Sequence, residues 1–427
     1  MRLIYFAAFF FAAITYSIAQ PVIQIPIGKT SEPADGPIKL ELIARIQNYN
    51  EAPASDSDFI NKHIDSPKSV NILDSKNKFY IHSLEGCETL VFSLDSLLMQ
   101  KVIPHTFSKK DSALFQENTA LGYSFYYKGA VNEFGGKPVE SCFTHNKKYL
   151  WVTYYRRSFD ANAIQPSAVA IIDTDCDSIV RVMPTGPLPK MVAASPDGKY
   201  LAVTHWGDNT IGIIDISSEN PHEFSYVKHF TVDYKLPLSN TNNTPVNRDT
   251  ECGYCLRGTV FSPDSKYLLV GRMGGGGIAF FDMEKLSYLG TLWGMKSNVR
   301  HLTIFKNDLL VSCTKPGFVQ KAPIDSLIAF MVRKKTTYTA WKDAFVGVGV
   351  RTIDVSPDGK YIYSAINNES KITVTDYNTM KVVCSIKADS FPVGLAVSED
   401  GTKLIVTSQG RNGVGGGNSV MIFSVEY

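Results

Sequence analysis

Residues 189–215 read PKMVAASPDGKYLAVTHWGDNTIGIID: a short apolar stretch, a Ser-Pro-Asp-Gly turn, a second apolar stretch, a Gly-Asp-Asn turn and a third stretch ending at Asp215. Pro presets φ at the first central turn position and Gly supplies a positive φ, so the first two stretches are predicted to form a tight β-hairpin. The pattern then returns. LRGTVFSPDSKYLLVGRMGGGGIAFFD from Leu256 and VRTIDVSPDGKYIYSAINNESKITVTD from Val350 align with it position by position. Weaker copies start at Pro67, Pro138, Val299 and Pro392, which makes seven. Units of four short strands with no helical periodicity between them predict an all-β chain folded as a single seven-bladed β-propeller, because a solenoid would need atypical capping repeats. Asp173, Asp215, Asp282 and Asp376 recur at the ends of third strands. An Asp at the opening of a hairpin is expected to form an Asx-type turn rather than to do chemistry.

The stretch AVTHWGDNTIGIID (202–215) resembles the YVTN-type β-propeller repeat, in which Val-Thr ends the second strand and Gly-Asp-Asn-Thr turns into the third. The resemblance spans residues 66–427 and implies the fold. Propellers of this kind serve as binding modules, as surface-layer parts and, in related lactonase-like or quinoprotein folds, as enzymes.

The last copy has only three evident strands, near 393–398, 403–408 and 419–425, and a missing strand leaves an open edge. The ring is therefore expected to be closed by an N-terminal strand that completes the last blade. PVIQIPIG (21–28) and IKLELIARI (38–46) are the two candidates, and the first matches the fourth-strand pattern of other copies more closely. The expected organisation is a signal peptide at 1–19, an N-terminal segment with the closing strand at 20–65 and the propeller at 66–427.

Composition is that of an ordinary globular protein, with 427 residues, 44% hydrophobic and 20% charged. A net charge of +2 from 43 basic and 41 acidic residues gives no global attraction to nucleic acid or an anionic membrane. The opening MRLIYFAAFFFAAITYSIAQ has the Arg, the short apolar run and the small residues of a cleaved signal peptide, which predicts a secreted or periplasmic protein with no transmembrane segment. Of seven cysteines only Cys252 and Cys255, in CGYC, form a close pair. The pair has no following His for haem attachment, opens no helix and lacks a second pair for zinc, so it is read as a disulfide clip. No cofactor and no metal are expected.

In a propeller the second-to-third-strand loops and the blade-to-blade connections share one face. The long insertions at 104–137, 231–255, 156–166, 315–325 and 409–417 are all assigned to it, and loops that grow on one face of a rigid scaffold are where binding usually lives. The residue entering each innermost strand borders the central channel on that face. Read blade by blade this column is Lys68, Val139, Lys190, Arg257, Arg300, Arg351 and Val393, with five cations among seven. Each is free either to pair with a nearby acid, such as Glu140, Asp249, Glu251 or Asp354, or to face a ligand. Unit charges about 10 Å apart repel by roughly 0.4 kcal/mol in water and by more beside low-dielectric walls, so a convergent ring is best tolerated around an anion.

Tyr154, His205 and Arg272, at the ends of second strands, and His301, next to Arg300, are placed around the same rim, with Trp206 close behind. The alternative for Tyr154 and His205 is a filled blade interface. The functional expectation is a monomeric binding protein for an anionic small molecule, a glycan or an acidic protein segment. No catalytic residue is assigned: the chain has no Gly-x-Ser-x-Gly elbow, no His-Glu-x-x-His helix and no plausible acid pair. The competing expectations are a lactonase-like hydrolase using His205, His301 and Arg272, and a structural role in an envelope or surface assembly. The glycine-rich 273–280 and 413–419 open no helix and are read as rim loops, while Asn242 and Asn368 begin glycosylation sequons.

Overall fold

A computed structural model describes residues 24–116, 132–238, 245–410 and 418–427, together with the backbone of two short strand pairs between 119 and 131. The signal-peptide segment, the sequon at Asn242 and most of the glycine-rich 413–419 lie outside the described residues. Seven sheets of four or five strands, antiparallel except for one outer pair, are arranged as a β-propeller. The innermost strands are Pro67–Leu73, Phe134–Thr144, Pro189–Ala194, Leu256–Phe261, Val299–Phe305, Val350–Val355 and Pro392–Val397, which begin blades 1 to 7.

The repeated turn has a cause in side-chain chemistry as well as in Pro and Gly. Ser195 Oγ donates to Asp197 Oδ1 at 2.6 Å, and both oxygens then accept backbone N–H groups, from Tyr200 and Lys199. Gly198 closes the turn with φ at +74°. Ser262–Asp264, Ser356–Asp358 and Ser398–Asp400 repeat the same bond in blades 4, 6 and 7. The strand-ending Asp173, Asp215, Asp282 and Asp376 each accept a backbone N–H two or three residues on, as turn formers do.

Packing follows the ring. Seven buried clusters lie one at each junction between neighbouring blades, for example Trp151, Leu201 and Val203 between blades 2 and 3. The junction between blades 7 and 1 is filled like the others, by Ile405 and Ile422 against Ile72 and Phe79. Each fully buried Ile, Leu, Val or Phe contributes about 1.5–3 kcal/mol relative to exposure, so closing the ring contributes as much as any other junction.

The strand that completes blade 7 is Lys39–Gln47, antiparallel to Ser419–Glu426 from Lys39 opposite Glu426 to Gln47 opposite Ser419. The closing strand is thus the second sequence candidate and not 21–28. Pro26 interrupts the first candidate and removes a ladder donor at its centre, whereas 39–47 offers nine residues without proline. Asp58–Ile60 adds a fifth, parallel strand outside it. Residues 30 and 32 form single bridges, to Glu41 and to Ser385 of blade 6.

Blade 5 corrects the placement of one insertion. Residues 315–325 are not a single loop, because Phe318–Pro323 is the third strand, fully paired with Asp308–Cys313 through a tight turn closed by Gly317 at φ +80°. The insertion is the α-helix Ile324–Val332, between the third and fourth strands and at the end that carries the Pro-Asp-Gly turns. Its buried Leu327 and Met331 cover the outer edge between blades 4 and 5.

Candidate functional site: a cationic channel mouth

Each innermost strand breaks its pairing with the second strand near its start, once in six blades and twice in blade 2. The register slips around Lys68, Val139, Lys190, Arg257, Arg300, Arg351 and Val393, so all seven blades carry an irregularity at the column predicted to border the channel. A bulge of this kind adds a residue, leaves a backbone group off the ladder and re-aims a side chain. Hydroxyls from the preceding blade collect the freed carbonyls. Ser312 donates to the Arg351 carbonyl at 2.7 Å, Thr352 to that of Val393 at 2.8 Å, Ser69 to that of Val139 at 2.9 Å, and Thr407 to that of Lys68. The Arg257 carbonyl is held by Thr259 at 2.7 Å, which is itself bonded to Thr204 of blade 3.

The five cations of the column line a single cavity of about 290 Å³, together with Arg156, Glu85, Glu140, Tyr155, Trp206 and Gln409. Their partners differ. Arg257 Nη2 lies 2.8 Å from Glu140, and Lys190 Nζ lies 3.5 Å from Asp249. The Lys190 ammonium also sits 3.9 Å from the ring centroid of Tyr155 and 4.7 Å from that of Trp206. Lys68 donates to the neutral Gln409 Oε1 at 2.8 Å, Arg300 to Met273 Sδ at 3.6 Å, and Arg351 stacks over Phe391 at 5.5 Å. Among the described residues none of these three forms a salt bridge.

Electrostatics record that crowding. Burial, with Arg257 and Arg300 nearby, pushes the Lys190 amine down to about 7 despite Asp249. Burial and then Arg351, Lys190 and the other column cations hold Lys68 well below the usual lysine range. Arg351 is pushed down to about 9 by burial and then by Arg257. A guanidinium does not surrender its proton near neutral pH. The pressure on Arg300 and Arg351 is therefore an energetic cost that Glu140 offsets only in part and that an added anion would relieve further.

Four of the predicted rim residues stand elsewhere. Tyr154 is fully buried, with its hydroxyl 2.8 Å from His105 Nδ1. His205 is buried between Gly186 N at 3.1 Å and Thr210 Oγ1 at 2.8 Å, and burial depresses its basicity. Arg272 turns outward to Asp233 at 3.3 Å, Thr291 at 2.7 Å and the Tyr254 ring at 3.6 Å. His301 stays beside Arg300 but outside the cavity; its Nδ1 accepts from Ile353 N at 3.3 Å and burial pushes it down to about 4.

The reason is strand phase. Tyr154, His205 and Arg272 pair with Pro138, Pro189 and Leu256, the residues just before the column, and share their face. The next residue along each second strand points the other way, toward the opening. That position holds Leu84, Tyr155, Trp206 and Gln409 in blades 1, 2, 3 and 7, and all four line the cavity. Trp206 was already expected close behind the rim, and period two, counted once more from the column, would have found the other three.

The disulfide between Cys252 and Cys255 is present and stands immediately before the innermost strand of blade 4. The loop before it reaches the mouth through Asp249, whose carbonyl accepts from Trp206 Nε1 at 3.3 Å. Arg248 N donates to Asn162 O at 2.9 Å and joins this loop to the 156–166 insertion, so the rim over blades 2 to 4 is one stitched wall. Among the described residues no three His, Cys, Asp or Glu side chains are grouped to hold a metal ion. No helix there is long and apolar enough to cross a membrane.

No protein-family model and no curated relative matches the chain. Solved structures do. The chain is similar to a Kuenenia stuttgartiensis hydrazine synthase chain at 13% identity, with a TM-score of 0.57, covering 88% of this chain and 98% of that one. It is also similar to the β-propeller domain of Myceliophteria thermophila Cps50 (Swd1), at 11% identity and a TM-score of 0.56, covering 85% and 97%. The likeness is one of fold.

Proposed function

We propose that this chain is a YVTN-type binding propeller acting outside the cytoplasm, secreted or periplasmic, whose channel mouth holds an anionic small molecule, a glycan or an acidic protein segment. One observation carries the reading: Lys68, Arg300 and Arg351 share a cavity with two further cations, and none of the three forms a salt bridge among the described residues, although Glu140 in the same cavity attracts both arginines from farther off. Arginine forks grip carboxylate or phosphate with two parallel hydrogen bonds, and the bulges aim these side chains from separate blades at one space. The Cys252–Cys255 bond and the N-terminal sequence pattern support an oxidising compartment. No particular contact favours the hydrolase reading, since His205 is enclosed and His301 lies outside the cavity.

The test is calorimetric titration of small anions into the mature protein at two salt concentrations, with and without the triple change of Arg257, Arg300 and Arg351 to Ala. Binding that weakens with salt and disappears in the triple variant is the expected result. Salt-insensitive binding, or binding that survives the triple change, overturns the reading.

A further inference from the structure

The charge around the mouth is not evenly spread. Blades 3 and 4 carry neutralised cations, Lys190 against Asp249 and Arg257 against Glu140. Blades 5, 6 and 1 carry Arg300, Arg351 and Lys68, whose polar contacts are a thioether and a neutral amide, with an aromatic ring under Arg351. Blade 7, between the last two, places Val393 in the column and so adds neither charge nor bulk there.

The opposite arc is built differently. Tyr155 and Trp206 face the cavity from blades 2 and 3, clamped by the Lys190 ammonium, and the Asp249 carbonyl fixes the indole. Behind them stands the wall joined by Arg248 and Asn162. Aromatic side chains with their polar partners already satisfied offer a rigid surface for an uncharged ring. Size agrees: a cavity of about 150 Å³ accommodates benzene, and the mouth encloses about 290 Å³. That leaves room for a single six-membered ring and one oxyanion group.

Resting on the proposal that the mouth binds anions, we infer that its ligand has two unlike ends, with one phosphoryl or carboxylate group on the Lys68–Arg300–Arg351 arc and a flat uncharged ring against Tyr155 and Trp206. Of the five cations, three hold the ligand; Lys190 and Arg257 hold the protein.

Calorimetric titration with two probe pairs tests this: inorganic phosphate against phenyl phosphate, and acetate against benzoate, with phenol as the uncharged control. In at least one pair the ring-bearing anion should bind tenfold or more tightly than its bare counterpart, and phenol should not bind. Trp206→Leu should remove that advantage while changing the bare anion less than threefold. Arg351→Gln should weaken both members more than tenfold, and Lys190→Met should weaken the bare anion less than threefold; Arg300→Gln serves where Arg351→Gln does not fold. Equal binding within both pairs, equal losses for both members in Trp206→Leu, or a Lys190→Met loss matching that of Arg351→Gln overturns the two-ended ligand while leaving an anion site in place. Binding of none of the four anions overturns the anion site itself, and the inference with it.

Discussion

Lys190 shows how a residue can be legible in the sequence while its job is not. Its position was readable from the repeat, because the residue that enters an innermost strand borders the channel whatever its type. Asp249 was among the acids expected to pair with the column, but which cation it meets was not readable, since it lies 59 positions away in a loop without a repeat, and Tyr155 belongs to the neighbouring blade. The same limit explains Tyr154 and His205, which the repeat placed on the correct strands but in the wrong phase, one residue short of Tyr155 and Trp206. Burial with Arg257 and Arg300 nearby brings the Lys190 amine to about 7 in the folded protein, against about 10.4 in an unfolded chain. Between those values the unfolded chain binds a proton that the folded one does not, so stability of the unliganded protein should rise with pH from about 7 toward 10. Lys68, shifted in the same direction, adds to this rise. Urea unfolding across that range should reveal the slope, and Lys190→Met should flatten it; an unchanged slope in the variant would show that the amine is already compensated. Ser312 is the matching case for backbone. Ser312→Ala leaves the Arg351 carbonyl without its 2.7 Å donor and should cost about 1–3 kcal/mol in the same measurement.

At the scale of elements, the tight hairpins were read correctly because local chemistry decides them: Ser, Asp and Gly within four residues satisfy one another. The closing strand was harder. Both candidates lie near the N-terminus, and the match to the fourth-strand pattern favoured the first, a preference that its central Pro26 outweighs. What seals the choice in the fold is Arg45, on the closing strand. It is 1% exposed and forked onto Asp58 at 3.1 Å through both Nε and Nη2, with Nη1 donating to the Ile25 carbonyl at 2.8 Å. Asp389, from the connection into blade 7, lies 3.5 Å away. This network ties the closing strand to three stretches that no sequence repeat relates. Removing one partner of a buried pair costs about 3–5 kcal/mol because the other charge stays uncompensated. Arg45→Ala should therefore lower the unfolding free energy by about that amount in urea titration. A chain starting after Ile60 should expose the Ser419–Glu426 edge and associate, visible by size-exclusion chromatography, and a peptide of residues 24–60 should restore the monomer.

The whole molecule sets a balance that neither residue nor element shows. Seven junctions hold seven inner strands at fixed spacing, and the bulges turn their side chains toward a common axis, so column cations cannot move apart to relieve repulsion. Under the proposed function, relief has two sources with opposite responses to salt. Screening by small ions weakens the mutual repulsion of an empty ring. A bound anion neutralises it directly and stabilises the folded state by RT ln(1 + [L]/Kd), about 2.7 kcal/mol at a hundredfold excess over Kd, but salt weakens that binding. Thermal unfolding of the empty protein should thus shift upward as sodium chloride rises. The further upward shift caused by a fixed concentration of a binding anion should shrink over the same range. In a protein with Arg300 and Arg351 both changed to Gln, both trends should diminish together, because one set of charges produces both. Trends that separate, with the salt response lost and the anion response kept, would place the anion outside the ring and return the mouth to a structural role.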